Sequence, residues 1–236
     1  MLRTLVLFDI DGTLLSSSAA GRSAIRRAFE EEYDRLDFFD AVRFDGKTDP
    51  QIVRELYHAA GHADRAEEGA ILALLERYLS HLEEELEARR GLVNPLPGIP
   101  PLLDALEARS EVCVGLLTGN VVRGAQLKLS AAGIDPARFR LGAYGSDHAD
   151  RPMLPAIAVE RATQLFGRIP SGDEIVIIGD TPADVTCGAS LGVRAVAVAT
   201  GSYTVAELQE AGAHATFTDL SDTDEVVSAI LSLAIT

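Results

Sequence analysis

Two aspartates stand one residue apart directly after a short apolar run near the start of the chain, in the stretch LVLFDIDGTLL (residues 5–15). The apolar run before Asp9 predicts a strand that is buried on both faces, as in a parallel sheet. Asp9 and Asp11 carry like charges at the end of this strand, so they repel each other and are poor packing residues. A turn accounts for Gly12 and Thr13 but not for two carboxylates, and a positively charged group is therefore expected beside them.

Two later apolar runs, EVCVGLL and EIVIIG, also end in polar residues. The polar residues that follow these two predicted strands are Thr118, Gly119, Asn120, Asp180 and Asp184. Because ligands of open parallel sheets bind outside the carboxyl ends of the strands, these residues are expected to share one edge with Asp9. Each stretch alone also fits a turn or a helix cap. Their agreement is what predicts a functional site.

Carboxylates gathered at one edge of a sheet predict a Mg²⁺ site. Mg²⁺ prefers hard oxygen ligands, usually keeps waters, and binds one or two carboxylates together with a substrate phosphate. The five histidines are scattered along the chain, and the two cysteines, Cys113 and Cys187, form no CxxC pair. A zinc site is therefore not expected, and both cysteines are predicted to be buried free thiols.

The composition restricts the partners that are expected. The formal net charge is −15 and the isoelectric point is near 4.7, which argues against nucleic acid, because phosphate backbones are bound by Lys and Arg patches. The N-terminus has no leader pattern, and no apolar run is long enough to span a membrane, so a cytoplasmic location without a membrane partner is predicted. The oligomeric state is left open by the sequence.

The order of predicted elements places the candidate residues on one scaffold. Strands and helices alternate from about residue 95 onward, whereas the chain between the first strand and that point has helical periodicity throughout. The predicted fold class is α/β: a Rossmann-like parallel sheet core with an inserted all-helical cap domain. Residues 1–15 and 95–236 would form the core and 16–94 the cap. Hinges are expected near Leu15–Ser18 and Asn94–Gly98.

The chain resembles the haloacid dehalogenase superfamily in its four motifs. DIDGT after a buried strand, a threonine that ends a second strand, a later basic residue, and GDTPAD after a third strand match that set along the whole core. The helical insert is similar to the cap of the superfamily's helical-cap class. The stretches GKTDPQIVREL, LTGN and DRPMLPAIAVERA resemble phosphoglycolate-phosphatase-like members. The resemblance implies a Mg²⁺-dependent phosphomonoesterase for a small phosphorylated metabolite, and phosphoglycolate is favoured by resemblance alone.

The resemblance also implies a role for each matching residue. Asp9 is expected to be the nucleophile that forms an aspartyl-phosphate, and Asp11 the general acid and then the general base. Asp180 is expected to bind Mg²⁺ together with Asp9, and Asp184 to ligate or support the metal. The main-chain carbonyl of Asp11 is a further expected metal ligand, and Thr118 is expected to hold phosphoryl oxygens. The other expected substrate contacts of the core are Gly12, Thr13, Gly119 and Asn120.

The third motif departs from the usual lysine of the superfamily, because the matching position is Arg151 in DRP. A guanidinium is permanently charged and can bind phosphate through two N–H groups, so Arg151 is the expected cation. Lys128 is the other candidate, but its helix is expected to carry it away from the site. In the cap, Lys47 and Thr48 either contact the leaving group of the substrate or form a solvated loop and a helix cap.

Other functions stay open at the level of the sequence. A sugar phosphomutase shares Asp9 and Asp11 and differs in keeping the aspartyl-phosphate from water. A phosphonate hydrolase needs a Schiff-base lysine in the cap, for which Lys47 is available. A dehalogenase needs no acid at position 11, so Asp11 argues against it. Outside the enzymes, the alternative is a non-catalytic protein that binds a phosphorylated metabolite, against which Asp11 also argues.

Overall fold

The computed structural model describes residues 3–234, so the outer limits of the predicted core, residues 1 and 236, lie outside the described part. The strands are β1 (Thr4–Phe8), β2 (Leu15–Ser16), β3 (Asn94–Pro95), β4 (Val112–Thr118), β5 (Gly142–Tyr144), β6 (Ile175–Gly179), β7 (Arg194–Val198) and β8 (Ala215–Phe217). The α-helices are α1 (Ala20–Glu30), α2 (Asp49–Ala59), α3 (Glu68–Ala88), α4 (Ile99–Glu107), α5 (Val122–Ala131), α6 (Leu154–Phe166), α7 (Pro182–Cys187), α8 (Val205–Glu210) and α9 (Thr223–Leu233).

Six strands form one parallel sheet in the order β5-β4-β1-β6-β7-β8. Every residue of β1, β4 and β6 is buried, as expected for strands covered by helices on both faces. In the registers of the sheet, Phe8 faces Leu116 of β4 on one side and Ile178 of β6 on the other. The carboxyl ends of these three strands are therefore level with one another. The prediction of a Rossmann-like α/β fold is confirmed.

The chain between β2 and β3 is helical, with α1 packed along α3 and α2 packed against the same helix. Each of the three buries an apolar stripe; Phe29 of α1 lies against Tyr57 of α2, with ring centroids 5.1 Å apart. Thr48 caps α2 by accepting a hydrogen bond from the backbone N–H of Gln51 at 3.2 Å, and Pro50 stands in the first turn. The division into a core and a cap at residues 16 and 94 stays our proposal.

The sequence did not predict the short antiparallel pair formed by β2 and β3. Leu15 pairs with Pro95 and Ser16 with Asn94, so the chain segments that enter and leave the helical segment lie side by side. Two-residue strands are too short for a periodic pattern, so no sequence signal was available.

No helix within residues 3–234 is both long enough and apolar enough to cross a membrane.

Candidate active site

Three buried aspartates meet at the carboxyl edge of the sheet. Asp9 follows β1, Asp180 follows β6, and Asp184 lies in the first turn of α7; one carboxylate oxygen from each lies within 4.8 Å of the other two. Burial raises the pKa of Asp9 to about 6 and that of Asp180 to about 8, and the mutual repulsion of the carboxylates adds to both shifts. Such a cluster is stabilised by positive charge placed beside it.

Arg151 supplies part of that charge. It is buried, its Nη2 lies 3.3 Å from Asp9 Oδ1, and the same nitrogen donates to Asp184 Oδ1. The other oxygen of Asp184, Oδ2, accepts hydrogen bonds from the backbone N–H and the hydroxyl of Thr181, at 3.0 and 2.6 Å. Arg151 Nε is buried and has no hydrogen-bond partner among the described residues. The guanidinium therefore lies beside Asp9, where it can also bind an anionic oxygen of a substrate.

The carboxylate of Asp180 packs closely against the backbone of Gly12 and Gly201, where no side-chain atom could be added. Thr13 donates its hydroxyl to Asp180 Oδ1 at 3.1 Å. A Cβ atom added to Gly12 would lie 2.4 Å from Asp180 Oδ2, and one added to Gly201 would lie 1.8 Å from it. Gly12 also has a left-handed backbone (φ 81°), and its carbonyl accepts the hydroxyl of Thr200. The predicted residue Thr13 therefore serves here to orient Asp180.

The carboxylate of Asp11 points away from this acidic cluster. Its Oδ1 accepts the hydroxyl of Ser17 at 2.7 Å, and its Oδ2 accepts Asn120 Nδ2 at 2.9 Å and Lys128 Nζ at 2.6 Å. The enclosed position opposes ionisation, but the charge of Lys128 and these three hydrogen bonds outweigh it, so the pKa of Asp11 lies below its usual value. Asp9 and Asp11 thus have separate cations, Arg151 and Lys128.

The expectation that α5 carries Lys128 away from the site is wrong. Lys128 is buried, and its ammonium also donates to Asn120 Oδ1 at 2.6 Å. The physical reason is the direction of helical side chains, which lean toward the helix N-terminus. Since α5 starts at the carboxyl edge of the sheet, a long side chain in its second turn reaches back to that edge.

The loop after β4 joins the site to the helical segment. Thr118 Oγ1 accepts Asn120 Nδ2 at 2.8 Å, which fixes the amide that holds Asp11. The carbonyl of Gly119 accepts the backbone N–H of Asp49 at 2.8 Å, and a Cβ at Gly119 would lie 2.1 Å from the carbonyl oxygen of Lys47. A glycine is therefore required where these two segments of backbone meet.

The two residues predicted from the helical segment have different environments. Lys47 lines the central cavity, and its ammonium is bonded to Glu55. Thr48 is buried outside the cavity wall; its hydroxyl donates to the carbonyl of Ala149 and caps α2. Asp49, which the sequence did not single out, accepts the backbone N–H of Val121 at 2.9 Å.

A cavity of about 560 Å³ lies between the sheet edge and the helical segment. Its wall contains the predicted residues Asp9, Asp11, Lys47, Gly119, Asn120, Lys128, Arg151 and Asp180. Gly12, Thr13, Thr48, Thr118 and Asp184 are not part of this wall and act behind it. The structure also adds residues that the sequence reasoning missed: Ser17, Asp49, Tyr78 and Gly201. Gly201 follows β7 at the same edge of the sheet, so its position after a predicted strand was a usable sequence signal. Ser17, Asp49 and Tyr78 have no comparable signal in the sequence.

The sheet order, the acidic cluster at its carboxyl edge and the helical segment above it define a haloacid dehalogenase-type hydrolase. The sequence profile of the family described as haloacid dehalogenase-like hydrolase matches residues 6–198, and the chain belongs to that family. The prediction of this superfamily, and with it of a hydrolase, is confirmed.

Curated relatives and solved structures agree with this assignment. The chain is 30% identical over 220 residues to phosphoglycolate phosphatase of Rhodospirillum rubrum, covering 92% of this chain and 87% of that protein. It is 25% identical to phosphoglycolate phosphatase of Cereibacter sphaeroides, covering 96% and 99% of the two chains. The crystal structure of β-phosphoglucomutase from Clostridium difficile superposes with a TM-score of 0.74 at 15% identity and covers 100% of both chains, which supports the fold alone.

Proposed function

We propose that this hydrolase is a Mg²⁺-dependent phosphomonoesterase of a small phosphorylated metabolite, and that phosphoglycolate is the first substrate to test. The observation that carries the proposal is the arrangement around Asp9: a buried carboxylate beside Arg151, whose Nε has no partner among the described residues. A phosphoryl group placed against Asp9 would bring its oxygens to the guanidinium that lies 3.3 Å from that carboxylate. The relatives named phosphoglycolate phosphatase support both the reaction and the candidate substrate.

In the proposed mechanism the carboxylate of Asp9 attacks phosphorus and forms an aspartyl-phosphate, while the bond to the leaving oxygen breaks. Arg151 holds a phosphoryl oxygen and neutralises charge that develops there. Asp11, whose pKa is low before substrate binds, would take up the proton of a monoanionic phosphate ester, give it to the leaving oxygen and later take one from the attacking water. Ser17, Asn120 and Lys128 orient Asp11 for both steps, because they occupy its two oxygens.

The residues present fit a Mg²⁺ ion. The carboxylates of Asp9 and Asp180 are close together, and their mutual repulsion adds to the burial that raises the pKa of both, so a cation between them would stabilise their ionised forms. We assign the metal to Asp9, Asp180 and the main-chain carbonyl of Asp11. Asp184, the third carboxylate of the cluster, ligates the metal or supports it through its hydrogen bonds to Arg151 and Thr181. Bound Mg²⁺ neutralises these carboxylates and polarises a phosphoryl oxygen.

The chain's environment and its partners beyond a small phosphorylated metabolite stay predictions from the sequence. These are the cytoplasmic location and the absence of nucleic-acid and membrane partners. The hinges that would open the helical segment are also a prediction.

The test is phosphate release from a panel of phosphomonoesters that includes phosphoglycolate and glucose 1-phosphate, with and without Mg²⁺. Wild type is compared with Asp9→Asn and with the matched control Asp64→Asn, which changes an aspartate whose side chain is 82% exposed. We expect Mg²⁺-dependent release that is lost in Asp9→Asn and kept in the control. Absence of release from every ester by folded wild type, or full activity of Asp9→Asn, contradicts the proposal.

A further inference from the structure

Tyr78 of α3 has a hydroxyl group that the fold itself does not use. The side chain is fully buried, it lines the central cavity, and its Oη has no hydrogen-bond partner among the described residues. Burying a hydroxyl without a partner costs stability, whereas phenylalanine would fill the same space without that cost. A hydroxyl kept under these conditions points to an acceptor that arrives with a ligand.

A second unused donor lies next to it. The ammonium of Lys128 has three N–H donors, and its hydrogen bonds to Asp11 and Asn120 occupy two of them. Gly21 of α1 marks the position: a Cβ atom there would lie 3.2 Å from Lys128 Nζ and 3.9 Å from Tyr78 Oη. Both donors therefore lie within 4 Å of the position that a side chain at Gly21 would occupy in the cavity wall.

The position of this space relative to Asp11 determines which part of a substrate reaches it. Lys128 Nζ is 2.6 Å from Asp11 Oδ2, the carboxylate that would protonate the leaving oxygen. A group attached one carbon away from that oxygen therefore comes within reach of the ammonium. An ammonium and a neutral hydroxyl are both donors, and together they match the two oxygens of a carboxylate.

We propose that Tyr78 and Lys128 form a subsite for a carboxylate of the leaving group, and that Tyr78 is a specificity-determining residue of this enzyme. The proposal rests on the proposed phosphatase function and deepens it, because it assigns the discrimination between leaving groups to two named donors. The phosphoryl group is held by the separate set around Asp9 and Arg151. Loss of the Tyr78 hydroxyl should therefore affect esters selectively.

The experiment compares Tyr78→Phe with wild type on two esters, phosphoglycolate and ethyl phosphate, which has a methyl group where phosphoglycolate has its carboxylate. Tyr33→Phe is the control, since it removes a tyrosine hydroxyl of the same helical segment that lies outside the cavity wall. We expect kcat/KM of Tyr78→Phe for phosphoglycolate to fall about 10- to 100-fold, the range for one hydrogen bond to a charged group. The value for ethyl phosphate and the melting temperature should not fall.

A second variant examines the space itself. Gly21→Ala adds a methyl group beside Lys128 Nζ within α1, where alanine favours the helix. It should also lower the preference for phosphoglycolate over ethyl phosphate. An unchanged preference in Tyr78→Phe, whether or not both rates fall, or a loss of preference of the same size in Tyr33→Phe, would overturn the subsite.

The outcomes separate the two proposals. Phosphate release by wild type with an unchanged preference in Tyr78→Phe removes the subsite and leaves the phosphatase. If wild type releases phosphate from no ester of the whole panel, the phosphatase function fails. The subsite is then decided by calorimetry with phosphoglycolate, whose Kd must rise at least tenfold in Tyr78→Phe and stay unchanged in Tyr33→Phe; an equal Kd rejects it.

Discussion

Replacing Gly201 by alanine tests whether the exact placement of Asp180 matters, without changing any charged group. The added Cβ would lie 1.8 Å from Asp180 Oδ2, and the backbone of Gly201 is not in the left-handed region, so the substitution adds no strain of its own. A carbon and an oxygen in ordinary contact are separated by about 3.5 Å, so the carboxylate has to move by roughly 1.5 Å. Thr13 restrains its other oxygen, which limits a simple rotation.

The size of the effect follows from that displacement. A misplacement of about 1 Å in a catalytic arrangement costs about 100-fold in rate, which corresponds to roughly 2.7 kcal/mol of activation free energy. We therefore expect kcat/KM of Gly201→Ala on the best ester to fall about 100-fold. The Mg²⁺ concentration for half-maximal activity should rise, because Asp180 is the residue displaced. The unfolding free energy should fall by about 1–3 kcal/mol, the usual cost of overpacking, which is why unfolding is measured beside activity.

The assay is phosphate release at a series of Mg²⁺ concentrations, with thermal unfolding measured on the same samples. Gly69→Ala is the matched control, because Gly69 lies in α3 with no atom within 4 Å of the added Cβ. This control should keep full activity, and its unfolding free energy should rise by up to about 1 kcal/mol. Wild-type kcat/KM and Mg²⁺ dependence in Gly201→Ala would refute the placement of the metal on Asp180.

Further predictions concern stability and reactivity. Burial raises the pKa of Asp49 to about 6. The protonated carboxyl therefore contributes its full stability below the pKa of the unfolded chain, near 4, and this stability is lost as the pH rises through 6. Asp49→Asn should raise the free energy of unfolding in urea by about 1–3 kcal/mol at pH 8 and change it little at pH 4. The hydrogen bond from Arg168 lowers the pKa of Glu174 to about 2, so Glu174→Gln should be less stable than wild type at pH 7. The difference in stability should shrink as the pH falls from 4.5 toward 2. Equal stability of the two proteins at pH 7 would contradict this. Burial raises the pKa of Cys113, and it raises the pKa of Cys187 to about 12. A disulfide reagent at pH 8 should therefore label neither cysteine in the folded protein and both in denaturant. Rapid labelling of the folded protein would show that the thiols are accessible.

The sheet was predictable because its strands carry their signal locally. Continuous apolar runs that end in polar residues predicted β1, β4 and β6, and the rule for parallel sheets placed Asp9, Asn120 and Asp180 at one edge. The structure brings these side chains together there, and Arg151 is beside Asp9 as expected. Their catalytic roles stay proposals.

The remaining features depend on distances between segments that are far apart in the chain. Lys128 was misplaced because the direction of a helical side chain relative to the sheet edge was not considered. Tyr78 reads in the sequence as one more apolar position of α3, and only the fold shows that its hydroxyl reaches the cavity without a partner. The role of Gly201 becomes visible only when Asp180 is seen beside it.

The pairing of β2 with β3 has a consequence for how this architecture can be rebuilt. The chain enters and leaves the helical segment through the β2–β3 pair, where Leu15 is opposite Pro95. The strands β1 and β4 pair directly in the sheet, and the helical segment takes no part in this pairing. Its two ends are therefore already adjacent, and a tight turn could join them. We therefore expect that another insert with neighbouring ends can replace the segment at the same point, leaving the sheet in place and changing the substrate selectivity.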